Sequence, residues 1–258
     1  MRLLRGGVRC TVQGSGVWKA LVEICHLVQL ERTMPGDRVE SWSERWEKGN
    51  TRWHNKDVNY SLLHHGGLLL PSPHLRVLVP LCGKSVDLKW FYDAGHTVVG
   101  IEAVEKGVLE FFSEQNLSYS TEQLSWGKLH KTKDDRLSIY CSDMMKVDVA
   151  ALGKFDAVWD RGSLVAIYEE DRECYVQIMK SLLAPDFRYL LNVTQYTPDE
   201  YFSGPPRNVP RELIEQFFGD MCKIELLESV KWPEEDERIA NWNLKSMTEA
   251  VFILSPNN

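Results

Sequence analysis

The sequence predicts an α/β domain with a mostly parallel sheet, helices on both faces and an antiparallel C-terminal edge. Three observations carry that reading. Short, near-continuous apolar runs recur at 76–79, 97–101, 137–141, 155–159 and 187–195, the pattern of strands buried on both faces. Helical periodicity separates them at 86–94, 106–115 and 172–183, which is the alternation of a parallel sheet. After a helix at 210–218, the runs 223–230 and 250–254 read as a strand pair closing the edge, with an acidic loop at 234–237 between them.

The elements before the sheet follow from local signals. Ser41-Trp42-Ser43-Glu44 has capping-box spacing and predicts a short helix that Gly49 can end. A second helix fits 56–65, closed by Gly66-Gly67 and the Pro71-Ser72-Pro73 turn. Residues 1–35 read differently. Arg2, Arg5, Arg9 and Lys19 precede the first acid, Glu23, and 17–30 can form an amphipathic helix. We expect 1–35 to be a poorly anchored extension and 36–258 to be one domain, a length that suits a single sizeable core.

Composition excludes several classes. The chain is 43% hydrophobic and 26% charged, with a formal net charge of −7, which argues against a nucleic-acid footprint. No apolar run approaches the roughly 20 residues of a membrane span. Six cysteines, Cys10, Cys25, Cys82, Cys141, Cys174 and Cys222, form no CxxC pair, as expected of reduced thiols in a cytoplasmic protein. Mitochondrial targeting by the basic N-terminus is the alternative, although that stretch is poor in serine. His64-His65 lacks the spacing of a metal site, and no metal is expected.

The chemistry concentrates in residues 76–102. An apolar strand meets the turn Leu81-Cys82-Gly83-Lys84, a helix follows, and the next strand ends on Glu102. This is the strand–turn–helix–strand–acid order of a nucleotide-type cofactor site. A glycine lets backbone amides approach a charged ligand, and an acid about twenty residues on can accept both hydroxyls of a ribose. A Walker loop is rejected, because Leu78 stands where that motif needs glycine. The three-glycine dinucleotide fingerprint is also missing, so a dehydrogenase is the weakest enzyme reading. Ligands in such a sheet bind beyond the carboxyl ends of the strands, where Leu81, Gly83, Glu102, Asp143-Met144 and Asp160-Arg161 fall.

That set suits S-adenosylmethionine. The single-glycine turn can offer backbone donors to a methionine carboxylate, Glu102 can hold the ribose, and Asp143 with Met144 can flank an adenine. Asp143 reads equally well as a helix N-cap. Trp42 and Trp46, four apart, share a helix face; with Trp53 they form either a core stripe or a lid over a flat ligand.

These segments resemble the thiopurine S-methyltransferase family. The resemblance rests on SWSERWEKGNTRWH (41–54), VPLCGKSVDLKWF (79–91), GHTVVGIE (95–102), FFSEQNLSYS (111–120), GKFDAVWDRGSLVAI (153–167) and SGPPRNVP (203–210). It implies a Rossmann-like class I methyltransferase fold and transfer of the methyl group of S-adenosylmethionine to the sulfur of aromatic and heterocyclic thiols. It further implies that Trp42, Trp46 and Trp53 cover the cofactor, and that Leu81 and Gly83 run along its methionine part. Glu102 would bind its ribose and Asp143-Met144 its adenine. Arg161 is the implied catalytic arginine, touching cofactor and substrate; Trp53 and Arg238 complete the substrate contacts. Arg207-Asn208 depart from the aromatic residues common there in the family, which puts substrate preference in question. A monomer acting on a small thiol in xenobiotic metabolism is expected. The alternatives are a related methyltransferase for thiocyanate, hydrosulfide or halide, and a non-catalytic cofactor-binding protein.

Overall fold

The computed structural model describes residues 36–197 and 202–257. The predicted extension and its helix over 17–30 lie outside the described residues. The strands are β1 (Arg76–Val79), β2 (Thr97–Glu102), β3 (Tyr119–Leu124), β4 (Gly127–Thr132), β5 (Leu137–Cys141), β6 (Phe155–Arg161), β7 (Leu183–Gln195), β8 (Cys222–Lys231) and β9 (Thr248–Pro256). They form one sheet in the order β3-β4-β5-β2-β1-β6-β7-β9-β8. The central five, β5 to β7, run parallel, and both flanks are antiparallel.

The helices are α1 (Gly36–Glu47), α2 (Tyr60–Leu69), α3 (Asp87–Asp93), α4 (Glu105–Glu114), α5 (Val149–Leu152), α6 (Arg172–Leu182), α7 (Arg211–Phe218) and α8 (Glu237–Asn241). Strand side chains alternate between two packed layers, as a two-residue period demands. Val77, Val79, Val98 and Trp159 meet Leu62 of α2, Phe91 of α3 and Phe111 of α4. Leu78, Val99, Val158 and Leu191 meet Tyr175 and Met179 of α6 and Phe218 of α7. Each such buried side chain contributes about 1.5–3 kcal/mol relative to exposure, so burial on both faces fixes the register of the central strands.

Chain order reverses at β1: β2 and β5 lie to one side of it, β6 and β7 to the other. Such a switch point opens a crevice at the carboxyl ends of the strands. Buried bonds hold its floor. Asp87, at the start of α3, accepts the Trp159 indole N–H at 2.8 Å and the Asn59 amide at 2.9 Å. Ser163 Oγ donates to the Pro80 carbonyl at 2.7 Å, joining the segments after β1 and β6.

Four expectations need correction. α1 starts at Gly36, so Ser41 does not cap it; Ser41 and Ser43 instead bond back to the carbonyls of Arg38 and Val39, as mid-helix serines do. α2 runs later than predicted because Asn59 caps it, accepting from the Ser61 and Leu62 amides. Gly66 and Gly67 lie inside it, and a Cβ on Gly66 would stand 3.2 Å from the Trp90 ring. The β3–β4 hairpin was not anticipated, since Tyr119–Leu124 is almost wholly exposed and shows no apolar alternation. The acidic loop leads into α8, capped by Asp236, which accepts the Arg238 amide.

Candidate active site

The turn after β1 is the centre of the crevice. Leu81 has φ +44 and Gly83 φ +51; a leucine in the left-handed region is costly, and such strain gathers where function requires a particular backbone shape. Glu102, at the tip of β2, is buried. Its Oε2 accepts the Gly83 amide at 2.9 Å and its Oε1 the Val104 amide at 2.8 Å. Burial raises its pKa, and the amides of Val104, Gly83 and Ala103 pull against that rise. The carboxylate, with about four lone-pair sites, still has acceptor capacity for a hydroxyl.

His54 holds the next amide of the turn. Its Nε2 accepts the Lys84 N–H at 3.0 Å, and its ring lies 5.0 Å from Trp46 and 5.5 Å from Trp53. Its pKa falls to about 4: burial is the largest cause and Lys84 and Arg161 add to it, while the Thr51 backbone and Glu110 pull the other way. The expectation that the turn amides await a carboxylate is therefore corrected: protein acceptors already hold Gly83 and Lys84. His54 was not foreseen as a functional residue; its place directly after Trp53 in the aromatic segment was the available signal.

Trp53 packs edge-on against Trp42 at 5.3 Å and Trp46 at 6.1 Å. Trp46 is buried, and a Cβ on Gly107 of α4 would stand 2.6 Å from its ring. Trp46 thus packs between Trp53 and α4, while Trp42 and Trp53 are half-buried. Arg161, last residue of β6, donates from Nη1 to the Trp53 carbonyl at 2.5 Å. Its neighbour Asp160 is fully buried and accepts the hydroxyls of Tyr175 and Tyr189, each at 2.7 Å. Asp160 is therefore engaged away from Arg161, and the remaining guanidinium donors of Arg161 are available to a ligand.

Asp143 is an N-cap: its Oδ1 accepts the Met145 amide at 3.0 Å. It lies two residues past Cys141, the β5 partner of Glu102, and the intervening Ser142 amide donates to the Glu102 carbonyl. Met144, next to it in the chain, is buried in the core layer that contains α6. Arg238 behaves differently. Its fork grips Asp236 at 2.9 and 2.7 Å and its guanidinium lies 3.8 Å over the Trp232 ring, without contact to the other candidates among the described residues. Arg207 is buried, donates to the Ala166 carbonyl at 2.7 Å and stacks 3.8 Å over Tyr168. Asn208 Oδ1 accepts the Tyr196 amide at 2.9 Å. Both departures from the family pattern thus tie loops together from within.

Comparison with known proteins gives the family and the fold. A profile of the thiopurine S-methyltransferase family matches residues 38–257, a span containing every residue of the candidate site. The chain is 42% identical to the probable thiopurine S-methyltransferase of Danio rerio over 88% of this chain and 97% of that protein. It is 42% identical to the thiopurine S-methyltransferase of Felis catus over 84% and 89%. Among solved structures, it resembles a 1,6-didemethyltoxoflavin N1-methyltransferase from Burkholderia thailandensis, with TM-score 0.57, 14% identity and coverage of 97% and 94%. It also resembles an S-adenosylmethionine-dependent methyltransferase from Anabaena variabilis, with TM-score 0.55, 15% identity and coverage of 85% and 95%. These two likenesses bear on the fold alone, and they agree with the expected class I methyltransferase architecture.

Proposed function

Because the chain belongs to the thiopurine S-methyltransferase family, we propose how its own residues carry out that family's reaction. The protein transfers the methyl group of S-adenosylmethionine to the sulfur of aromatic and heterocyclic thiols, thiopurines included. The observation that carries this is the family match over 38–257. The crevice suits the cofactor chemically: a buried carboxylate with open lone pairs, a strained turn and an arginine with free donors.

The cofactor supplies a methyl on a sulfonium, which carries the difficult chemistry. The protein's part is to bind, align and dry the site. Glu102 accepts the ribose hydroxyls. Leu81 and Gly83 flank the methionine part, and Asp143 with Met144 meets the adenine. Trp42 and Trp53, backed by Trp46, exclude water. Arg161 is the catalytic residue, and one guanidinium serves two ends. It contacts the cofactor and favours the thiolate form of the substrate, directly or through a water. No strong base is required, because aromatic thiols and thiones ionise readily. Trp53 and Arg161 face the substrate; for Arg238 to join them, its grip on Asp236 must open. We further read the protein as a cytoplasmic monomer of xenobiotic metabolism acting on small molecules, with no nucleic-acid partner. No helix among the described residues is long and apolar enough to cross a membrane.

The test is a methyl-transfer screen with S-adenosylmethionine against thiopurines, aromatic thiols, thiocyanate, hydrosulfide and halide. Turnover of the aromatic thiols is the expected result. Transfer confined to the small anions would replace the substrate assignment, and tight cofactor binding without any transfer would replace the enzyme reading.

A further inference from the structure

His54 has no part in the chemistry above, yet it joins the cover to the crevice floor. Its Nε2 accepts from the Lys84 amide, so the ring proton of the neutral form sits on Nδ1. That nitrogen is buried and lies toward the Thr51 carbonyl, outside good hydrogen-bond geometry. The ring packs on Trp46 and Trp53 and fills the space a Gly83 side chain would take: a Cβ there would stand 2.1 Å from Nε2. Gly83 is thus required twice, for its φ of +51 and for the room His54 needs. The same segment is held from the other side, because Arg161 donates to the carbonyl of Trp53.

We propose that His54 is a positioning residue: its imidazole latches the aromatic segment onto the Gly83–Lys84 turn, so that cover and cofactor turn close as one unit. The proposal rests on the reading of that turn as the cofactor's. Its acceptor is what matters. An uncharged imidazole can take the Lys84 N–H, whereas an imidazolium or a hydrocarbon ring cannot. Without the acceptor the Lys84 amide loses its partner and the Trp53–His54 segment loses one of its hydrogen-bonded ties to the strand ends. The ligand must then order the cover itself, which weakens binding with little effect on the chemical step.

Three full-length variants test this. His54→Phe keeps a packed ring without an acceptor. His54→Gln places an amide oxygen near the Nε2 position, and His54→Asn places it too short to reach Lys84. We measure the Kd for S-adenosylhomocysteine by calorimetry, KM for S-adenosylmethionine and kcat with an aromatic thiol, and melting temperature. His54→Phe and His54→Asn should raise Kd and KM about tenfold with kcat within about twofold, the scale expected for one lost hydrogen bond plus reordering. His54→Gln should recover most of the affinity. If His54→Phe fails to fold, the contrast between Gln and Asn decides alone. Equal affinity in all three variants, or a Gln variant as weak as Asn, overturns the latch. Wild-type protein that does not bind S-adenosylhomocysteine overturns the cofactor reading itself, and the latch with it.

Discussion

The two halves of the strand-end surface are built by different means. On the β1–β2–β5 side, the contacts run through the main chain. Glu102 holds the amides of Gly83 and Val104, His54 holds that of Lys84, and Asp143 caps the next turn. On the β6–β7–β9 side, side chains from distant loops pack on one another. Tyr196, Phe202, Trp232 and Trp242 gather on Ile239, Leu244 and Met247, with Phe202 stacked on Trp242 at 4.7 Å. Arg207 and Arg238 each lie 3.8 Å over an aromatic ring. The comparison teaches a division of labour. A cofactor of constant shape can be met by backbone geometry, which tolerates few changes. A surface built from side chains can instead be altered one residue at a time.

The sharpest way to break this contrast is at Glu102. Glu102→Ala removes two charge-assisted contacts to the ribose, a net loss of about 2–4 kcal/mol after partial recovery by water. Cofactor affinity should fall by roughly thirty- to several-hundred-fold. Because the Gly83 and Val104 amides lose their acceptor as well, melting temperature should fall too. Glu102→Gln should be milder on both counts. Calorimetric titration of the folded variants with S-adenosylhomocysteine checks this; near-wild-type affinity for Glu102→Ala would remove the ribose assignment.

At the seam between the halves, Arg161→Lys should lower turnover by about ten- to a hundred-fold and cofactor affinity much less. Lysine keeps the charge but loses the planar fork that can hold Trp53 and a thiolate together. Equal losses in kcat and affinity, or none in either, would show that Arg161 does not act on the reacting sulfur.

Acid should act on the latch residue with a definite sign. The imidazole of His54 titrates at 6.5 when unperturbed and at about 4 in the fold. Between those values the unfolded chain binds a proton that the folded chain refuses. Stability from this group is therefore complete above about pH 6.5 and lost as pH falls toward about 4, by roughly 2–3 kcal/mol. Lys84 and Arg161 push in the same direction, the Thr51 backbone and Glu110 against it. Buried Glu102 and Asp160, whose pKa values are raised, contribute the opposite slope. Urea unfolding at pH 7.5 and 5 should show wild type losing more stability than His54→Gln; identical slopes would contradict the buried neutral imidazole.

On the side-chain half, Arg207→Met should cost about 2 kcal/mol through the lost bond to Ala166 and the lost stacking on Tyr168. Thiol KM should move by a few-fold while the Kd for S-adenosylhomocysteine stays within about twofold, since none of the amides around Glu102 is touched. A parallel loss of cofactor affinity would show that the halves are not separable. The smallest effect belongs to the N-terminus. Deleting residues 1–35 should leave melting temperature and cofactor affinity unchanged within error, whereas a large drop in either would place that segment in the domain.

Much of the fold was legible because the signals were local. Strands β1 and β5 fall at their predicted bounds, and Gly49 ends α1 with φ +69 as expected. The β3–β4 hairpin escaped because an exposed edge strand has no apolar face to imprint a period on its residues. Leu81, Gly83 and Glu102 could be read as a set because one strand–turn–helix–strand unit carries all three. Joining Trp53 to Arg161 needed a contact across 108 positions, and joining His54 to Lys84 one across 30.

By itself, then, the sequence determined which runs are buried on both faces, where the chain turns, and that an acid ends the second central strand. Those properties depend on periodicity and backbone preference within about ten residues, which any segment carries with it. Only the tertiary structure decided what each polar group bonds. It assigned the Gly83 and Lys84 amides to Glu102 and His54, turned Asp160 toward two tyrosines, spent the Arg238 fork on Asp236 and drew Arg207 inward. Hydrogen bonds are directional and satisfied by whichever partner the packing brings within about 3 Å. That choice belongs to the assembled sheet and its loops, not to any one segment.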